Sequence, residues 1–83
     1  MMQTKEMKIY NHIAAAYEEA LLADRKQDAL NVCYTIKNYL KMLKPKTKMY
    51  GDGEKWMTAA DLEGYNDTRI SRLEYELYYY GAR

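Results

Sequence analysis

Cys33 is the only thiol in the chain. A single cysteine excludes an intramolecular disulfide and, in practice, a zinc site built on several thiolates. It fits a reducing compartment. No stretch approaches the roughly 20 apolar residues that span a bilayer. The opening MMQTKEMK also has no apolar run to act as a signal-peptide core. The expectation is a cytoplasmic protein with no membrane partner. Histidine is scarce too: His12 is the one imidazole. A Cys33/His12 pair would have no third group to orient it, so both are read as structural. The carboxylate pairs Glu18/Glu19 and Glu74/Glu76 stand one or two positions apart, so on a helix they diverge into solvent. No glycine-rich phosphate loop is present, and Gly51-Asp52-Gly53 lacks the ligand series of a calcium loop. We therefore predict no catalytic residue, no metal and no cofactor: the chain is not expected to be an enzyme.

Charge of one sign is also missing, with 13 basic against 12 acidic residues and a net charge of +1. No overall field selects a polyanionic partner. The charges are unevenly spread, however. Six lysines and two acids fall within residues 37–55, whereas 56–83 carry three arginines and five acids.

What the chain has in place of phenylalanine is tyrosine: ten Tyr and one Trp against no Phe. A buried tyrosine needs a partner for its hydroxyl. Ten cannot all be buried and satisfied in 83 residues, so some are expected at the surface or against a partner. A chain of this size makes one small domain burying about 60–65% of its unfolded surface, which also makes a homodimer an effective way to cover more apolar area.

The pattern predicts an all-α fold, a small helical bundle over 1–83. The first helix is placed at 4–23, capped by Thr4 with Glu6 in its first turn. Its apolar stripe is Ile9, Ile13, Ala16 and Ala20, with Tyr10, Ala14, Tyr17 and Leu21 beside it. A polar turn at 23–26 leads to a second helix at about 27–43, with a stripe of Ala29, Val32, Cys33, Ile36, Leu40 and Leu43. A short turn between two helices predicts an antiparallel hairpin. The spacing Tyr17…Ala20…Ala29-Leu30 resembles one tetratricopeptide-type hairpin, which we read as general helix-pair packing. Pro45 ends the second helix.

Residues 46–57 are expected as a loop or a short β-hairpin turning at Gly51-Asp52-Gly53, with Lys48 opposite Trp56 and Tyr50 opposite Glu54. Thr58 with Asp61 resembles a capping box. Beyond it lie one or two C-terminal helices. Ala59, Leu62, Asn66, Ile70, Leu73, Leu77 and Tyr80 keep helical spacing, but Gly64 and Asn66-Asp67 favour a break, with Asn66 or Asp67 capping a last helix that Gly81 ends.

Two surfaces suggest function. Arg72, Tyr75, Tyr79 and Arg83, flanked by Tyr78, recur on the side of the last helix opposite Ile70, Leu73 and Leu77, as a partner-binding line or a second core face. Arg and Tyr dominate interface hot spots. The second surface is a set of nucleic-acid contacts: Lys41, Lys44, Lys46, Lys48, Trp56 and Arg69, where lysines meet phosphates and aromatic rings stack on bases.

The favoured function is a non-enzymatic protein that occludes a host protein or a protein–nucleic acid complex. Small phage and mobile-element inhibitors of host defence, anti-CRISPR proteins among them, have this general character. The alternative is a DNA-binding regulator. The stretch TAADLEGYNDTRISRLEYEL resembles the helix-turn-helix of phage repressors at Thr58, Leu62, Ile70, Ser71 and Arg72. It is about three residues short of two full helices and a turn, and Asp67, Glu74 and Glu76 would repel phosphate.

Overall fold

A computed structural model describes residues 2–80, with side chains described to residue 79. Gly81 and Arg83 therefore lie outside the described residues, as does the side chain of Tyr80. The order is β1 (Met2–Gln3), α1 (Lys5–Leu22), α2 (Lys26–Lys41), β2 (Lys48–Asp52), β3 (Lys55–Thr58) and α3 (Ala59–Tyr75), which continues into a π-helical segment, Glu76–Tyr80. The fold is mostly helical, but the three strands form one antiparallel sheet in the order β1-β2-β3, so the expected all-α class is too coarse.

The α1–α2 hairpin forms as the pattern implies. Thr4 Oγ1 caps α1 by accepting from the Met7 amide. The turn closes as a Schellman motif: the Arg25 amide donates to the Ala20 carbonyl and the Asp24 amide to Leu21. Asp24 occupies the left-handed position at φ 56°, where a side chain is strained and glycine is usual. The α1 core face is rotated from expectation. Met7, Tyr10, Tyr17 and Ala20 are buried, while Ile9 and Ala16 lie at the surface. The apolar residues of α1 surround much of the helix, so sequence period alone could not choose which edge α2 covers.

α2 is the central element. Ala29, Leu30, Cys33 and Ile36 have no accessible surface, and both α1 and α3 pack on α2. Burying Leu30 and Ile36 contributes about 1.5–3 kcal/mol each. Tyr17, Ala20, Ala29 and Leu30, the residues of the tetratricopeptide-like spacing, all fall in one core cluster with Cys33, Ile70 and Leu73. A second cluster joins Met7, Tyr10, Ile36 and Leu40 to Met49, Ala59 and Leu62, and Tyr50 and Met57 of the sheet pack against it. The molecule is elongated, 48 × 20 × 20 Å. The sheet lies at the end where α1 and α3 begin.

The hairpin is present in a different register. Tyr50 pairs with Met57, Gly51 with Trp56 and Asp52 with Lys55, with an irregularity between Lys48 and Tyr50. The turn is two residues, Gly53-Glu54, because Gly53 takes the positive φ of 58° that a tight hairpin turn needs. Gly51 belongs to the ladder instead. A Cβ there would meet the Lys55 carbonyl oxygen at 2.1 Å, so only glycine allows the two strands to approach this closely. β1 was not expected; it adds Met2 opposite Gly51 and Gln3 opposite Tyr50.

The break expected at 64–67 does not occur. Thr58 and Asp61 form the capping box, and α3 then runs unbroken through Gly64, Asn66 and Asp67. Asn66 caps nothing. It is completely buried, and its Nδ2 donates to the Cys33 carbonyl of α2 at 2.9 Å. The same turn is held from outside by Lys37 and Asp67, 3.6 Å apart. Tertiary bonding has overridden the turn propensity of an Asn-Asp pair.

Candidate functional surfaces

The C-terminal part of α3 and the π-helical segment present two sides. The inner side is tied to α2. Tyr34 Oη donates to Glu74 at 2.7 Å, Lys26 stands 3.6 Å from Glu76, and Leu77 packs against the core cluster of Tyr17, Leu30 and Leu73. The Glu74 carboxylate, helped by burial, pushes the Tyr34 phenol up to about 12. Glu74 and Glu76 thus act as anchors for the helix end, a role their sequence spacing did not disclose.

The outer side carries the predicted line. Arg72, Tyr75, Tyr78 and Tyr79 are all exposed, Tyr79 by 67%. The Tyr75 and Tyr79 rings meet with centroids 5.4 Å apart, a tilted aromatic contact that limits their rotamers. Leu22, 89% exposed at the end of α1, belongs to the same end of the molecule, because α1 finishes where α2 begins and Glu76 reaches Lys26 there. Sequence pattern missed Leu22 because it adjoins a stripe assigned to the core.

The predicted nucleic-acid set is divided. Lys41, Lys44, Lys46 and Lys48 are exposed around the end of α2 and the start of β2, and Lys48 Nζ lies 5.3 Å from the centre of the Trp56 ring. Trp56 Nε1 donates to the Gly53 carbonyl at 2.7 Å, which fixes the indole on the sheet. Arg69 is elsewhere. It lies ten residues into α3, about 15 Å along the axis, with its guanidinium 4.6 Å from the Tyr17 ring centre. Burial raises the Tyr10, Tyr17 and Cys33 pKa values, and in each case Arg69 partly offsets it. Arg69 therefore serves as an internal clasp between α3 and α1 and is not grouped with the lysines.

Cys33 and His12 lie in different surroundings. Cys33 is fully buried with a raised pKa, which suppresses the reactive thiolate, and His12 lies on the exposed side of α1. An open groove of about 520 Å³ at the hairpin is lined by Tyr50, Gly51, Asp52, Lys55, Trp56, Met57 and Asp61. Asp61 Oδ2 there is engaged by the Thr58 amide and hydroxyl. Among the described residues, no helix is long and apolar enough to cross a membrane. The helix-turn-helix likeness of residues 58–77, the alternative reading, has no turn behind it, because 59–75 is one helix. The chain matches no protein-family model, and no curated protein or solved structure matches it.

Proposed function

We propose that this chain is a non-catalytic binding protein that occludes the surface of a protein partner with the outer face of its C-terminal helix. The observation that supports this reading is the two-sidedness of that helix end. Glu74, Glu76 and Leu77 hold it against α2, with the half-exposed Tyr78 beside the Tyr34 hydroxyl, while Arg72, Tyr75 and Tyr79 stand outward. Preorganised tyrosines cost little side-chain entropy on binding, and aromatic and arginine side chains supply most hot-spot energy. An inhibitor of the small anti-defence type, as anti-CRISPR proteins are, would use such a surface.

The test is affinity capture from host lysate with mass-spectrometric identification, using the parent chain and a Tyr75→Ala/Tyr79→Ala variant, with solution mass measured in parallel. The variant is expected to lose the captured partner while its melting temperature stays within about 4 °C of the parent, a change of under about 1 kcal/mol. A large fall in melting temperature, or a dimer that dissociates in the variant, would make these tyrosines core residues and end the proposal.

A further inference from the structure

We propose that the outer face of the sheet is a second, separate binding surface and that its ligand is single-stranded nucleic acid. The pairing decides which side chains share that face. Residues directly opposite in an antiparallel ladder point to the same side, and the side alternates along each strand. Gln3, Tyr50 and Met57 form one row, and Tyr50 and Met57 pack on the core. Met2, Gly51 and Trp56 form the other row; the irregularity between Lys48 and Tyr50 breaks the alternation in β2, buries Met49 and lets Lys48, paired with Thr58, join this side beside the Trp56 ring. No strand residue in that row is acidic; the one carboxylate at its edge, Asp61 of α3, is held by the Thr58 amide and hydroxyl.

Its chemistry suits a strand of nucleotides. Gly51 has no side chain and is itself buried against β3, so it adds nothing above the sheet between Met2, 68% exposed, and the half-buried Trp56. The indole is pinned through Nε1, and its π-face already attracts a cation, Lys48. A base that stacks on this ring releases the Lys48 ammonium to a phosphate. The lysines that lead to the face, Lys41, Lys44, Lys46 and Lys48, occupy eight consecutive positions with no acid among them.

Among the described residues, the ion pairs are Arg25–Asp28, Lys26–Glu76 and Lys37–Asp67, all in the helical part of the molecule. The lysines at the sheet end are thus uncommitted to internal carboxylates. An acidic protein segment would satisfy the lysines but would make no use of a fixed, flat indole. A strand of bases satisfies both features. Stacking on an indole and lysine–phosphate contacts do not depend on base identity, so the binding proposed is sequence-tolerant.

Trp56 is the only tryptophan, so its fluorescence reports the site directly. The probe is fluorescein-labelled oligo(dT), titrated with the purified chain across a salt series, with poly-glutamate of matched charge as the competing polyanion. The expected Kd is about 1–100 µM near physiological salt, and three phosphate contacts give a log–log salt slope of about −2. Trp56 emission is quenched on saturation. Trp56→Ala weakens binding about tenfold, Trp56→Phe keeps most of it, and Lys46→Gln/Lys48→Gln flattens the slope by about 1.4.

The proposal fails if oligo(dT) does not bind at about 100 µM, the weak limit of nonspecific affinity. It also fails if binding leaves Trp56 emission unchanged, or if poly-glutamate binds equally well with the same quench. Should Trp56→Ala not fold, the quench in the parent chain still decides the matter. Because the assay holds no protein partner, its outcome is independent of the tyrosine face.

Discussion

Asn66 Nδ2 donates a 2.9 Å hydrogen bond to the main-chain carbonyl of Cys33, with both residues completely buried where α3 crosses α2. The other half of the same amide, Oδ1, is buried with no hydrogen-bond partner. One bond thus positions α3 on α2, and one lone oxygen costs part of what that bond contributes. Replacing Asn66 with Ala removes both and leaves a cavity, so we expect a loss of about 1–3 kcal/mol in urea unfolding. Asn66→Asp is expected to lose more at neutral pH, because the carboxyl ionises freely in the unfolded chain but not without cost in the buried site. The excess loss shrinks on acidification, since burial raises the folded pKa above the unfolded value of about 3.9. An Asp variant as stable as the parent at neutral pH would show that the site is wet.

Two glycines test the path of the chain in opposite directions. Gly64 lies inside α3 with nothing within 4 Å of where a Cβ would stand, so Gly64→Ala should stabilise by about 0.5–1 kcal/mol. Gly51→Ala puts a methyl 2.1 Å from a main-chain oxygen and should cost about 1–3 kcal/mol or unzip the hairpin. Thermal melts of the two variants suffice. Destabilisation by Gly64→Ala would restore the broken helix that α3 replaces.

Tyr34 predicts a pH dependence. Its pKa rises from 10.0 to about 12 in the folded chain, first because its hydroxyl donates to the Glu74 carboxylate. A folded pKa above the unfolded one means that the neutral phenol favours the fold. The contribution is therefore complete below about pH 10 and is lost as pH rises through about 12. Melting curves of the parent and of Tyr34→Phe should differ by a constant amount up to the lower value and converge above it. A gap that stays constant across the window would mean that Tyr34 is not bonded to Glu74 in solution.

How far the sequence was legible follows the kind of force that set each feature. Thr4, the capping box at Thr58 and Asp61, the α1–α2 turn and the α2 stripe are local or periodic, and all were readable. The α1 face was not, because its apolar residues wrap most of the helix and only the neighbour decides. β1 was invisible: two residues carry no period, and their pairing with residues 50 and 51 is a long-range event. Asn66 was visible as a polar residue in an apolar register. Its meaning depended on the Cys33 carbonyl, 33 positions away in sequence. The Arg72/Tyr75/Tyr78/Tyr79 line was legible as a face, whereas the separation of Arg69 from Lys48 and Trp56 needed the Tyr17 contact to be seen.

Thr4 joins the two ends of the chain's own history. Its hydroxyl accepts from the Met7 amide and shares its one proton between the Lys48 and Met49 carbonyls, 2.8 and 2.9 Å away, while its amide donates to Met49 at 3.0 Å. The cap of the first helix is thus completed by residues more than forty positions further along the chain. During synthesis α1 and α2 can pair as soon as both have emerged, but the first turn of α1 stays unfastened until β2 follows. Closing that clasp is the step that turns a helical hairpin into this fold, and amide exchange at Met7 and Lys8 should slow together with exchange in β2.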